Sequence, residues 1–537
     1  MAVRKSLLQP SGEPTHFKSS VLEYAFPRSG GEDAPIRMKK LFLILPFFLT
    51  VSGAYSYAFP TPTLDHILMT VVHLAAGVVF AAISLWQLRP ALKTDSLERS
   101  LGSGLLLLGT AIGIVLLFTG ALRAYQPVLF AHIGLTAAGL VVLIASWART
   151  SKRIRLASST YPALILVLLV LSGGLWTLRD LGWQRRYRIQ NPLMPPASMD
   201  EEGDGAKGPF FPSSAQTAHG GLIEANFFME SQACARCHAD IYQQWNSSAH
   251  HFASFNNQWY RKSIEYMQDV VGTRPSKWCG GCHDPAVLFS GMMDTPIREI
   301  VDRPEAHTGI GCVGCHSIVA VKSTMGQGDY VLEYPPLHRW VASPNPGLRF
   351  LHDFLVKVDP EPHRRAFLKP FVRQQPAEFC STCHKVHLDQ AVNHYRWFRG
   401  FNEYDSWQTS GVSGYGARAF YFPAQPQACV DCHMPLVPSK DLGNQEGFVH
   451  SHRFPGANMA LPVANQDTAQ LEATRGFLQN GIVSVQIFAL SSEPAAPADS
   501  EAVSAPQDSL QAPLHRVDPI VRPGDSVRVD VDRKSVV

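Results

Sequence analysis

The first third of the chain alternates between long uncharged runs and short basic loops. The apolar runs are Leu41–Phe59, His66–Leu88, Ser100–Leu122, Ala124–Ala148 and Leu156–Leu178. Each of the last four is long enough to cross about 30 Å of hydrocarbon as an α-helix. A buried helix of a soluble protein rarely extends so far without a charged residue. The pattern therefore predicts a four-helix transmembrane domain over residues 61–183.

The first apolar run has two interpretations. Met38 and two lysines precede a leucine- and phenylalanine-rich stretch, which is typical of a signal peptide with its own start codon, and Ala58 ends an acceptable cleavage site. Residues 1–37 would then be an untranslated polar tail. In the other interpretation, residues 38–60 form an uncleaved first transmembrane helix behind a cytoplasmic tail. The topology after residue 60 is the same in both.

The loop charges predict the orientation of these helices. The loops at 88–100 and 149–155 carry seven Lys or Arg residues, whereas the two loops on the other side carry only Arg123. Because cytoplasmic loops are enriched in Lys and Arg, the basic loops should face the cytoplasm. The chain after about residue 180 should therefore lie on the outer side of a bacterial cytoplasmic membrane.

Histidines within the apolar runs are candidates for function, because ionisable residues are rare inside membranes. His73 and His132 lie near the outer ends of two helices that run in the same direction. Three alternatives are open. The two histidines bind a b-type haem, or they form a haemless quinone site with His66 two turns before His73, or they make hydrogen bonds inside the helix bundle.

All ten cysteines belong to one repeated motif, Cys-x-x-Cys-His. The cysteines are Cys234, Cys237, Cys279, Cys282, Cys312, Cys315, Cys380, Cys383, Cys429 and Cys432. The histidines that follow are His238, His283, His316, His384 and His433. This motif attaches c-type haem: two thiols bind the porphyrin vinyl groups, and the histidine is the proximal ligand of the iron. The sequence therefore predicts five covalent haems.

Three other uses of paired cysteines fit less well. Structural zinc bound by two cysteine pairs would leave one of the five pairs unused, and it would not require a histidine after each pair. A disulfide framework would not require the histidines either. A thioredoxin-like pair needs a βαβ setting, which this sequence does not indicate.

Charge and composition narrow the function further. Lys and Arg number 47 against 44 Asp and Glu, a net charge of +3, so a nucleic-acid-binding role is not expected. Residues 231–455 hold all five motifs, about 45 residues for each haem. So short a segment should use the porphyrins as its core, wrapped by short helices and loops. Histidines available there as second axial ligands are His250, His251, His307, His338, His352, His363, His387, His394, His450 and His452, with His219 just outside.

The first motif carries a family resemblance. Cys234-Ala-Arg-Cys-His238 is followed by Ile241, Tyr242 and the stretch Trp245-Asn-Ser-Ser-Ala-His250. This pattern resembles the cytochrome c-552/554 family of multihaem cytochromes, over roughly residues 231–455. The resemblance implies electron transfer, and it implies distal iron ligands at matching positions. Those positions are His250, His307, His387, His450 and His452. A membrane segment is not part of the usual family pattern.

The same superfamily resemblance extends to enzymes, the ammonia-forming nitrite reductases and hydroxylamine oxidoreductases. In the nitrite reductases a lysine replaces the motif histidine at the catalytic haem. None of the five motifs here ends in lysine. Catalysis at a haem that lacks its distal histidine stays open as an alternative, so no catalytic residue is assigned.

The remaining segments are predicted to be connections. Residues 184–230 read as a polar connector with little regular structure, because Gly203–Gly208 and the following prolines disfavour it. Residues 456–537 read as a linker, flexible over 492–513, with one strand at Ser526–Asp532. One strand cannot form a domain, which favours a fragment that stops early in a β region.

The sequence as a whole predicts a mainly α protein: a transmembrane helical bundle, then a multihaem cytochrome c domain, then the start of a β segment. The predicted function is electron relay through five haems c on the outer side of the membrane, from the quinone pool to an extracytoplasmic redox partner. The alternative is an oxidoreductase that acts on a small nitrogen or sulfur compound at one open haem. A quinol dehydrogenase that uses His73 and His132 is a third interpretation.

Overall fold

Long N-terminal helices precede a region of short helices and loops. The computed structural model describes residues 33–92, 96–150, 157–417, 425–481, 483–493 and 509–535. The long helices are α1 (Asp33–Ala58), α2 (Leu64–Leu92), α3 (Leu97–Thr119), α4 (Gln126–Thr150) and α5 (Ala157–Arg186). The prediction of a mainly helical protein is confirmed.

Three of the described helices are long and apolar enough to cross a membrane. The apolar stretches are Leu64–Leu85, Leu97–Thr119 and Arg123–Ser146. They coincide with the second, third and fourth apolar runs of the sequence. The predicted polar tail over residues 1–37 lies almost wholly outside the described residues, which begin at residue 33.

Helices α3 and α4 pack closely through small residues. A Cβ atom added at Gly102 would lie 2.8 Å from Leu143 Cγ, and one added at Gly109 would lie 2.6 Å from Thr136 Cγ2. Small residues let helix backbones approach each other, which stabilises helix pairs in a membrane where no hydrophobic effect drives their association. An alanine at either glycine would push the two helices apart.

Residues 231–455, called the motif region below, are built mainly from short helices. The helices after α5 are α6 (Ser231–Cys234), α7 (Ala239–Asn246), α8 (Gln258–Val271), α9 (Thr273–His283), α10 (Pro285–Phe289), α11 (Ile297–Ile300), α12 (Cys312–His316), α13 (Pro346–Val358), α14 (Pro360–Phe367), α15 (Phe371–Gln374), α16 (Pro376–Ser381), α17 (Gln390–Asn393), α18 (Glu403–Thr409), α19 (Cys429–His433), α20 (Ala460–Ala464) and α21 (Thr468–Leu478). The last two follow the motif region.

The described strands form small sheets. They are β1 (Gln216–Thr217), β2 (Ile318–Val321), β3 (Tyr330–Leu332), β4 (Lys385–Leu388), β5 (Phe398–Asn402), β6 (Leu436–Pro438), β7 (Phe448–His450), β8 (Val483–Glu493), β9 (Ser509–Gln511) and β10 (Ser526–Ser535). The first sheet has the order β1-β3-β2, and two hairpins pair β4 with β5 and β6 with β7.

The C-terminal segment differs from the single strand that the sequence predicts. Strand β10 contains the predicted strand, and it pairs antiparallel with β8 in a sheet of order β10-β8-β9. Strand β8 was not predicted. Residues 494–508, most of the predicted flexible linker, lie outside the described residues.

The motif region has a hydrophobic core of its own, which the sequence analysis did not expect. Phe210, Phe227 and Phe228 from the predicted connector are buried against Phe289 and Tyr330. The Phe210 and Phe289 rings meet edge to face with centroids 4.8 Å apart. The connector thus contributes aromatic side chains to this core, which is therefore not built from residues 231–455 alone.

The motif region lies against one end of the long helices. Among the contacts that join them, Ala121 N donates to Lys357 O at 3.1 Å, His66 Nε2 lies 2.6 Å from Asp359 Oδ2, and Arg365 Nη2 lies 3.0 Å from Asp180 Oδ1. The start of α2, the loop between α3 and α4 and the end of α5 therefore lie together. These are the helix ends that the loop charges place on one side of the membrane.

Candidate haem-binding site

Each motif is carried by a short helical turn or by a helix end. The third motif forms α12 completely, the fifth forms α19, and the second lies at the end of α9. Residues three and four apart lie on the same face of a helix. The two thiols and the histidine of each motif therefore face the same side, as covalent attachment and axial ligation of one haem require.

Four motif histidines are oriented by a hydrogen bond from Nδ1. The acceptors are Asp441 Oδ1 for His238 (2.7 Å), Ala253 O for His283 (2.8 Å), Phe367 O for His316 (2.8 Å) and Pro455 O for His433 (2.7 Å). An acceptor at Nδ1 fixes the proton there and leaves Nε2 available. Metal-ligating histidines have this arrangement, because the second bond orients the ring and raises the basicity of the ligating nitrogen.

Three motif histidines face a second imidazole across a gap. The ring centroids are 6.4 Å apart for His238 and His363, 6.2 Å for His384 and His250, and 6.2 Å for His316 and His452. Bonds from a metal to imidazole nitrogen are about 2 Å long, and each centroid lies about 1.1 Å behind its nitrogen, so one iron between two rings separates the centroids by about 6.2 Å. The residues present therefore fit haem with two histidine ligands.

Burial keeps these second imidazoles neutral. Burial, together with a smaller effect of the facing motif histidine, lowers the pKa of His250 and of His363 to about 3 and that of His452 to about 4. All three rings are therefore uncharged at neutral pH. A histidine must be neutral to bind a metal ion, so the electrostatics agree with the geometry.

The other two motif histidines have aromatic neighbours instead. The Tyr260 ring stacks on His283 with centroids 4.4 Å apart, and the Tyr260 hydroxyl donates to the Asp284 carboxylate. The Phe477 ring lies 5.1 Å from His433. Among the residues that the structure describes, the ring contacts of these two motif histidines are with Tyr260 and Phe477.

The structure brings two of the sequence-predicted distal ligands to a motif histidine, His250 and His452. It places the other three elsewhere: His307 Nε2 bonds Val301 O (2.6 Å), His387 Nε2 lies 2.8 Å from Glu202 Oε1, and His450 Nδ1 bonds Met434 O (2.7 Å). Protein atoms thus lie at Nε2 of His307 and of His387, whereas His450, within the described ranges, is bonded only through Nδ1.

His363 and Asp441 were not selected by sequence reasoning. His363 was one of many available histidines, and it does not occupy a position matched by the family resemblance. It reaches His238 only because α14 folds against the first motif. Neither pairing leaves a signal in the sequence, because the partners are far apart along the chain.

A further pair of buried histidines does not meet the same criterion. His338 and His352 have ring centroids 6.4 Å apart, with planes at 72°. However, Nε2 of His338 lies 2.8 Å from Glu230 Oε2, and Nδ1 of His352 lies 2.9 Å from Asp353 Oδ1. Since a carboxylate lies beside Nε2 of His338 and neither histidine follows a Cys-x-x-Cys pair, no haem is assigned there.

The five motifs are neighbours in space. Thiols of different motifs interact in the pairs Cys234 and Cys312, Cys282 and Cys383, Cys380 and Cys429, and Cys315 and Cys383. All ten cysteines are free thiols in the structure. Hydrogen bonds between thiols link the first motif to the third, and the fourth to both the second and the fifth, while the third and fourth motifs interact only electrostatically.

The membrane histidines are hydrogen-bonded inside the helix bundle. His73 Nδ1 lies 2.8 Å from Ser52 Oγ, and His132 Nδ1 lies 2.8 Å from Gly109 O. These are bonds of the kind that the third alternative for these residues predicts. Both use Nδ1, as the bonds of the four motif histidines do.

Comparison with known proteins gives one match. Residues 233–317 match the family model described as cytochrome c554 and c-prime. No curated protein and no solved structure matches the chain. The matched segment contains the first three motifs, so it supports a cytochrome c family and with it covalently bound haem c.

Proposed function

We propose that the chain is a membrane-anchored pentahaem cytochrome c that relays electrons from the quinone pool to a redox partner outside the bacterial cytoplasmic membrane. Bound haem supplies the one-electron iron chemistry. The observation that carries the proposal is the set of three motif histidines that face a second imidazole at the spacing of one shared iron. Iron held by two histidines has no open position, which suits electron transfer rather than substrate binding.

The neighbourhood of the motifs supports a relay. Thiol hydrogen bonds join the first motif to the third and the fourth to the fifth, and the thiols of the third and fourth motifs are close enough to interact electrostatically. The chain's own residues then have defined parts. The cysteines attach the haems, the motif histidines and the facing imidazoles ligate iron, and the acceptors at Nδ1 set the ring orientation.

The location of the motif region supports membrane anchoring on the outer side. Helices α2, α3 and α4 have the length and composition to cross a bilayer, and the motif region contacts their ends opposite the basic loops. Basic loops face the cytoplasm in bacterial membrane proteins, and haem is attached to Cys-x-x-Cys-His outside it. Both arguments favour the same side.

The test is the haem content of the purified full-length protein, measured by the pyridine haemochrome spectrum against an independent protein concentration. We expect about five haems c per chain. A haem b signal that disappears in His132→Ala would assign a haem to His73 and His132, whereas haem c alone would favour an anchor or a haemless quinone site. A chain carrying three haems c or fewer would contradict the pentahaem proposal.

The aromatic neighbours of His283 and His433 favour one second candidate, an oxidoreductase for a small nitrogen or sulfur compound. A haem without a second histidine can bind a small molecule at iron. This candidate predicts a high-spin signal and turnover with nitrite or hydroxylamine. Uniformly low-spin haem would exclude it.

A further inference from the structure

A histidine of a membrane helix and a carboxylate of the motif region meet where these two parts join. His66 lies at the start of α2 with its side chain 1% exposed, and its Nε2 is 2.6 Å from Asp359 Oδ2. Thr70 Oγ1 donates to the same carboxylate oxygen at 3.1 Å. This pair, called the junction dyad below, therefore lies at the edge of the predicted membrane span and belongs to both parts.

The hydrogen bonds of the junction dyad define its proton content. His66 Nδ1 lies 2.8 Å from Phe59 O, and a carbonyl can only accept, so Nδ1 carries a proton. The contact between Nε2 and Oδ2 then needs a second proton, on either the imidazole or the carboxylic acid. The dyad thus shares one exchangeable proton between a nitrogen and an oxygen, held in place by Thr70.

The junction dyad is close along the chain to one of the facing pairs of histidines. Asp359 immediately precedes α14, and His363 lies one helical turn further along the same segment. His363 in turn faces His238 of the first motif at 6.4 Å between centroids. A group bound at Asp359 is therefore connected through one turn of helix to a candidate iron ligand.

Aromatic side chains and a cation lie next to the junction dyad. Phe59, whose carbonyl orients His66, stacks on Tyr55 with centroids 5.1 Å apart. The Arg179 guanidinium lies over the Phe59 ring at 4.5 Å. Asp359 is 24% exposed, so a proton received there has a path to water.

We propose that the junction dyad binds the head group of a membrane quinol and accepts its protons, with Asp359 as the proton acceptor and His66 as its partner. The proposal rests on the electron-relay function proposed above. In the oxidation, both quinol O–H bonds break and the quinone forms. The two protons pass one after the other to Asp359 and then to water, and the two electrons would reduce two ferric c-type haems, one electron each.

A purely structural role for the junction dyad is the competing explanation. The ion pair between Arg365 and Asp180 already joins the motif region to α5, at 3.0 Å. That contact supplies a matched control, because it connects the same two parts of the protein without a histidine and at a different helix. If both contacts only hold the two parts together, removing either one should change quinol reduction equally. If the dyad is a quinol site, only removing the dyad should slow quinol reduction.

The experiment uses the haem-loaded full-length protein in detergent and compares wild type with Asp359→Asn, His66→Gln and the control Asp180→Asn. Menadiol is the quinol probe, and its rate of haem reduction is followed by absorbance. Dithionite gives the total reducible haem. Binding of a hydroxyquinoline N-oxide, a quinone-site probe, is measured by fluorescence quenching and does not depend on turnover.

We expect Asp359→Asn and His66→Gln to slow menadiol reduction roughly 100-fold, at the lower end of what a positioned proton acceptor contributes. We also expect His66→Gln to weaken binding of the N-oxide probe, while dithionite-reducible haem stays the same. Asp180→Asn should match wild type in both readouts.

The proposal is overturned if the dyad variants are reduced as fast as wild type, or if Asp180→Asn loses as much as they do. It is also overturned if menadiol does not reduce wild type. A protein with five haems that dithionite reduces would still support the electron-relay function in these cases. Haem content far below five would instead be a failure of the proposed function itself.

Discussion

The five motif histidines fall into two groups that the sequence motif does not distinguish. His238, His316 and His384 each face a second buried imidazole, whereas His283 and His433 each lie beside an aromatic ring. The Cys-x-x-Cys-His pattern is the same in both groups. What differs is the ring beside the motif histidine, and that ring belongs to a residue outside the motif. In the proposed pentahaem cytochrome the motif would determine where haem is attached, and distant residues would determine which irons have a second histidine ligand.

The strongest test of this comparison removes a facing imidazole. His363→Ala, His452→Ala and His250→Ala should each convert one low-spin haem per chain to high spin, because each removes an axial ligand from a different iron. The second candidate function adds that the haems of His283 and His433 are high spin already in the wild type, whereas a pure electron relay predicts that they are low spin. Electron paramagnetic resonance of the oxidised protein measures both groups.

The control for the ligand variants is His251→Ala, next to His250. The Nδ1 atom of His251 bonds Asn246 O at 2.7 Å, and no motif histidine faces the ring in the described part of the chain. We expect its spectrum to match wild type. High-spin haem in His251→Ala, or its absence in His250→Ala, would show that the two groups have been assigned incorrectly.

Sequence reasoning predicts the haem attachment sites from a local motif, but it selected only two of the three imidazoles that face a motif histidine. Cys-x-x-Cys-His is a local pattern, so its chemistry is visible in five consecutive residues. The ligand that faces each motif comes from elsewhere in the chain. Two of the predicted distal ligands, His250 and His452, face a motif histidine. His363 also faces one but was not among the predicted ligands. The other three predicted ligands, His307, His387 and His450, contact other protein groups.

The fold shows the same division between local and distant information. Long apolar runs predicted the positions of the helices, because a membrane span is a local property of composition. Short polar segments were less informative. The connector was predicted to be irregular, yet Phe210 and Phe227 are buried, and strand β8 was not predicted. Burial and strand pairing depend on partners that a local pattern does not contain.

A second test uses a difference within the group of paired histidines. His238 bonds a carboxylate, Asp441, whereas His316 bonds a backbone carbonyl. A carboxylate at Nδ1 makes the imidazole a stronger donor to iron and stabilises the ferric state. Asp441→Asn should therefore raise the midpoint potential of one haem, by roughly tens of millivolts, and leave the others unchanged.

A redox titration of the purified protein followed by absorbance checks the Asp441→Asn prediction. The matched control is Asp431→Asn, a carboxylate of the fifth motif that caps α19 through Ala428 N and is not bonded to a histidine. Equal shifts in the two variants would mean that the potential responds to net charge rather than to the bond at His238.

The smallest expected effect concerns the helix that holds Tyr260 beside His283. Glu265 of α8 forms ion pairs with Lys262 and Arg261, and the hydrogen bonds from these two side chains lower its pKa from 4.5 to about 2. Because the folded pKa lies below the unfolded one, the stabilisation is complete above about pH 4.5 and is lost as the pH falls towards 2.

Glu265→Gln should lack this acid dependence and should lose about 1 kcal/mol or less at pH 7, because both cations are partly exposed. Urea unfolding at pH 7 and pH 3.5 measures the difference. Glu472→Gln is the control. Glu472 pairs with Arg475 on α21, the helix that carries Phe477 beside His433, and both side chains of this ion pair are exposed.

If α8 positions Tyr260, Glu265→Gln should also change the spectrum of the His283 haem and leave the spectra of the three paired haems unchanged. If the spectra of the three paired haems change instead, both groups of haems depend on the packing of α8.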